Sequence, residues 1–72
     1  MSRNNVLVVA KLKGRFAVIG PLNADTEWNE AFVRAALRGA RYTRDRGKAL
    51  IRAHDRQRRL DTEYGVCEMW LR

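Results

Sequence analysis

Seventy-two residues make one domain at most (1–72), and a chain this short buries only about 60% of its unfolded surface, so its stability margin is small. The lone cysteine, Cys67, excludes an internal disulfide framework, and no segment nears the roughly 20 apolar residues of a membrane-spanning helix. Fifteen Lys and Arg against eight Asp and Glu leave a formal charge of +7, which points to a polyanionic partner.

The N-terminal apolar run Val6-Leu7-Val8-Val9-Ala10 is too short for a secretory core and is followed by Lys11 and Lys13, so no signal peptide is expected. Together with the single thiol this predicts a reducing, cytoplasmic setting. Residues Val6 to Leu12 are aliphatic and β-branched, Lys13-Gly14-Arg15 is a turn signal, and Phe16 to Ile19 resumes the apolar run. The pattern predicts a β-hairpin whose second strand stops at Gly20-Pro21.

A first helix is expected from Asp25 or Thr26, either of which can cap, to about Arg38. Its wheel places Trp28, Phe32, Ala35, Ala36 and Gly39 on one apolar face and Val33 and Leu37 well round from it, predicting contacts on two sides. Gly39 is a plausible end. Thr43 then caps a second helix reaching about Leu60, or a single long helix bends at Gly39.

Asp61-Thr62-Glu63 interrupts the pattern, and Tyr64 to Leu71 reads as a last strand with Cys67, Met69 and Leu71 on one face and Tyr64, Val66, Glu68 and Trp70 on the other. The expected fold is α+β, a ββααβ two-layer unit with a three-stranded, mainly antiparallel sheet and one helical layer. The first strand, the most apolar, is placed at the sheet centre. Leu7, Val9, Ala17 and Ile19 are assigned to one sheet face and Val6, Val8, Phe16 and Val18 to the other. With helices on one side only, the second face calls for a partner, and a homodimer through the sheet is the simple solution.

Between Arg34 and Arg59 stand ten basic residues and two acidic ones. On the second helix Arg44, Lys48, Arg52, Arg56 and Arg59 fall within roughly 120° of arc, beside an apolar sector holding Ala49, Leu50 and Ala53. Arg34, Arg38 and Arg41 repeat the i, i+4, i+7 spacing on the first helix. These eight side chains are the candidate nucleic-acid-binding residues. A guanidinium presents a planar donor fork matched to phosphate, and the stripe's spacing lets it follow a phosphate backbone without reading bases.

Other chemistry has less behind it. His54 and Cys67 are single representatives of their types with no orienting motif, so a nucleophilic pair is not expected and the chain reads as a non-enzyme. There is no CxxC, no His pair at helical spacing and no acidic cluster for a metal, and the glycines fit no phosphate-cradling spacing. Neither a metal nor an organic cofactor is therefore expected. A helix-turn-helix turning at Gly39 puts Asp45 where an aliphatic residue is required. Tyr64 and Trp70 could stack bases on an open sheet, but burial is the expected role for both.

The run Arg41-Tyr42-Thr43-Arg44-Asp45-Arg46 through Ala49-Leu50, with Ala53-His54-Asp55-Arg56-Gln57 and Thr62-Glu63-Tyr64-Gly65-Val66, resembles small uncharacterised bacteriophage and prophage proteins over about half the chain. That resemblance implies a phage-type accessory protein and carries no active site with it. Two roles follow as expectations: nucleic acid (DNA or RNA) held by the arginine face, or an acidic protein surface met by an interaction or inhibitor module acting on a host or phage complex.

Overall fold

A computed structural model describes residues 5–60 and 65–71. Its elements run β1 (Asn5–Leu12), β2 (Arg15–Asn23), α1 (Glu30–Ala36), β3 (Tyr42–Thr43), α2 (Arg46–Arg59) and β4 (Gly65–Leu71). The fold is α+β as expected, but the order is ββαβαβ and the sheet has four strands, β3-β2-β1-β4. β1 lies between the hairpin partner and the last strand, as its apolarity predicts. The sheet is mixed: β1 pairs antiparallel with β2 and parallel with β4, because the chain reaches β4 by a crossover through α2 instead of a hairpin.

The hairpin closes through two residues, not three. Lys13 and Gly14 both take positive φ, 53° and 75°, the combination that matches the twist of paired strands. Leu12 therefore faces Arg15 and Val9 faces Val18, which shifts the face assignment of β2 by one residue. Val8, Ala10, Ala17 and Ile19 share one face, and Val9, Phe16 and Val18 the other. The grouping of Leu7 and Val9 with Ala17 and Ile19 is thereby corrected.

β2 also runs past Gly20-Pro21, where a stop was expected. The pairing slips between Val6 and Val8 and resumes as Val6 with Leu22 and Asn5 with Asn23. This bulge accommodates a residue that has no N–H to give to a ladder. Gly20 (φ 109°) and a cis Gly20–Pro21 bond form the irregularity.

Each sheet face is covered by one helix. α1 sets Val33 and Leu37 against Val8, Ala10, Ala17, Ile19 and Leu22, with Met69 and Leu71 at the border. Burying Val33 completely contributes about 1.5–3 kcal/mol. α2 sets Ala49 and Ala53 against Val9 and Phe16, with Val18, Leu50 and Val66 around them. Both alanines are fully buried, so their small side chains let the helix lie close to the strands. Leu7 to Ala10, covered from both sides, form a continuous buried run.

This replaces the two-layer arrangement. Leu7, Val9, Ala17 and Ile19 are all buried within the chain, so the argument for a homodimer through a bare sheet face has no face to act on. Nor do the two helices pack side by side, since the sheet stands between them.

α1 starts later than expected. Asn23, not Asp25, organises the loop: its carbonyl accepts from Thr26 and Glu27, and its own N–H donates to the Glu27 carboxylate at 2.7 Å. The cap is Asn29, whose side-chain oxygen accepts from the Phe32 N–H at 2.8 Å. Trp28 thus precedes the helix, and of the two apolar sets it is Val33 and Leu37 that are buried, while Trp28 and Phe32 are about 40% exposed (38% and 40%). α1 ends at Ala36 with Leu37 as its C-cap, before the expected Arg38, and the chain turns through Gly39 (φ 76°) into the short β3, where Tyr42 donates to the Leu37 carbonyl at 3.1 Å. The long bent helix is thereby excluded. Asp45, not Thr43, caps α2, accepting from the Lys48 N–H at 3.2 Å.

Candidate nucleic-acid interface

The arginines are gathered by a gap in the sheet edge. β3 pairs only with Phe16 and Ala17 of β2, so past its end the edge of β2 at Val18–Gly20 has no neighbouring strand. The end of α1 with its exit loop bounds one side of that gap, and the C-terminal half of α2 bounds the other. The result is a recess of about 560 Å³, within the roughly 300–1,000 Å³ typical of small-molecule sites.

Five of the eight candidate residues line it: Arg38 and Arg41 from the α1–β3 side, Arg52, Arg56 and Arg59 from α2. Arg52 is half-buried and the other four are exposed. On α2 the i, i+4, i+7 spacing aligns them along the border of the burying face that overhangs β2. Arg56 is the most constrained, because its Nη1 donates to the Val18 and Gly20 carbonyls at 3.4 Å each, supplying donors where a longer β3 would have done so.

Among the described residues that line it, one carboxylate, Asp55, accompanies the five guanidiniums, and it accepts a hydrogen bond from Arg58. Five guanidiniums against one carboxylate among the described lining residues give the recess an excess of positive charge. Among the described residues that line it there is no aromatic ring.

The remaining three candidates lie elsewhere. The Arg34 Nε donates to Glu30 at 2.8 Å, one helical turn back on α1, and Arg44 and Lys48 are exposed at the start of α2. Lys48 is roughly 12 Å along the helix from Arg56, at 1.5 Å per residue. The backbone edge Val18–Gly20 and Asp55 were not expected in the site. The edge could not be anticipated without knowing that β3 is two residues long, whereas Asp55, three residues after Arg52 and four before Arg59, lies on the same helical face by spacing.

Arg46, outside the candidate set, clamps α2 to β4 by a fork to Glu68, Nε to Oε1 at 2.7 Å and Nη2 to Oε2 at 2.8 Å. The hydrogen bonds to Arg46 hold the Glu68 carboxyl below its ordinary pKa, and those to Glu68 raise that of Arg46. This contact fixes the helix that carries three of the recess arginines.

His54, exposed on α2, and Cys67, on the α1 side of the sheet with Val8, are separated by the sheet itself. Trp70 is 69% exposed rather than buried, with the Lys11 Nζ 5.0 Å from its ring centroid. Tyr64, Asp61 and Glu63 lie outside the described residues. Among the described residues no group of three or more His, Cys, Asp or Glu is placed to hold a metal ion, and no helix is long and apolar enough to cross a membrane. No protein-family model, curated protein or solved structure matches the chain.

Proposed function

We propose that this protein binds nucleic acid through the arginine-lined recess, as an accessory binding protein without catalysis. The observation that carries this reading is the convergence of Arg38, Arg41, Arg52, Arg56 and Arg59 on one concave edge from two separate parts of the chain. Arginine forks suit phosphate oxygens geometrically as well as electrostatically. Arg44 and Lys48 add attraction at the entrance end of α2. The absence of aromatic rings among the described lining residues supports phosphate contact over base stacking.

Neutralising about five phosphates predicts that log affinity for duplex DNA falls with log salt at a slope near −4 to −5. Fluorescence anisotropy with labelled DNA and RNA at several salt concentrations measures it. A slope in that range, alike for unrelated sequences, supports the reading. No binding at low salt ends it.

A further inference from the structure

The recess concentrates five guanidiniums from two sides, an arrangement that favours the end of a phosphate chain over its middle by charge. The β2 edge at Val18–Gly20 and the connection into β3, with Ala40 and Arg41, form part of its lining. Charge favours the same ligand: a phosphomonoester carries about −1.5 to −2 at neutral pH, whereas each bridging phosphodiester carries a single charge. Arginines on opposite walls can grip three terminal oxygens from two directions, which one wall cannot do.

We infer that the recess is a phosphomonoester site, selective for a terminal phosphate or a pyrophosphate group over internal phosphodiesters. The inference deepens the nucleic-acid reading and rests on it. On a terminal phosphate Arg38 and Arg41 converge from one wall and Arg52 and Arg59 from the other, the same side chains that meet separate phosphates when a duplex backbone lies along them. Arg56 lies between them at the sheet edge, its Nη1 3.4 Å from each of the Val18 and Gly20 carbonyl oxygens.

The test compares two single-stranded oligonucleotides of the same sequence, one ending in a phosphate and one in a hydroxyl, together with inorganic pyrophosphate and, at matched ionic strength, sulfate as competitors. The terminal phosphate should raise affinity about tenfold, as expected for a few charge-assisted hydrogen bonds. That gain should vanish in an Arg38→Ala/Arg41→Ala variant and survive in Lys48→Ala, with unchanged circular dichroism in both. Pyrophosphate should compete at concentrations where sulfate does not. If pyrophosphate competes but the oligonucleotide end adds nothing, free phosphate compounds are the source of the ligand and the site chemistry stands. Equal affinity for both oligonucleotides with no preference for pyrophosphate overturns the inference while leaving nucleic-acid binding intact. Equal competition by a polyglutamate peptide also overturns it, in favour of an acidic protein partner. Absence of all oligonucleotide binding removes the broader reading.

Discussion

Alanine in place of Gly20 should leave little folded protein under conditions where the wild type is fully folded. A Cβ at this position would stand 2.8 Å from the Val6 carbonyl oxygen and 3.0 Å from the Leu22 nitrogen, and both are backbone atoms of the paired strands. Neither can retreat without breaking the pairing that follows the bulge. The φ of 109° adds strain for any residue with a side chain. A loss of about 3 kcal/mol or more is expected, a large share of the stability of so small a domain. Urea denaturation followed by circular dichroism measures it. Gly14→Ala is the comparison, because a Cβ there meets nothing within 4 Å and only the left-handed turn opposes it, at about 1–2 kcal/mol. Equal stability of the two variants would mean that β2 does not take this path past Pro21.

The second large effect concerns where charge sits rather than how much there is. Arg41→Glu with Arg59→Glu reverses one arginine on each wall of the recess, while Arg44→Glu with Lys48→Glu reverses two cations outside it. Each reversal removes two charges, so both double variants fall from +7 to +3. A simple electrostatic attraction between a basic protein and nucleic acid would weaken equally in the two. The recess predicts otherwise. Its variant should lose about a hundredfold in affinity and flatten the salt slope by about 2, whereas the outer variant should lose no more than about tenfold. All four residues are exposed, so thermal unfolding should change little in either, and affinity reports on the site alone.

The elements with regular alternation were legible from residues alone. The hairpin, the last strand and the partition of Met69 and Leu71 from Val66 all follow from period two. The hairpin register was not, because Lys13 at φ 53° is a side chain in a conformation that composition does not signal. β3 was hidden for a different reason: two residues show no period, and Tyr42-Thr43 is flanked by Arg41 and Arg44. Its presence separates the helices and sends them to opposite faces, so the two-layer expectation failed with it. On α1 the large rings of Trp28 and Phe32 looked like the core. The Asn23–Glu27 loop delays the helix until Asn29, which leaves Trp28 outside it, and Val33 and Leu37 form the buried side. Arg34 could have been set aside earlier, since Glu30 stands four residues before it. The convergence of the other arginines depended on the short edge strand, which no spacing rule reveals.

The central claim, that phosphate binds where the two helix ends flank the β2 edge, is tested most directly by a heteronuclear NMR titration with a short oligonucleotide. The side-chain Nε–Hε signals of Arg38, Arg41, Arg52, Arg56 and Arg59 should shift together and saturate at one affinity, with the backbone amides of Val18, Ile19 and Gly20 following as the Arg56 contacts to the edge readjust. Shifts centred instead on Lys11 and Trp70, across the sheet beside β4, would contradict the account.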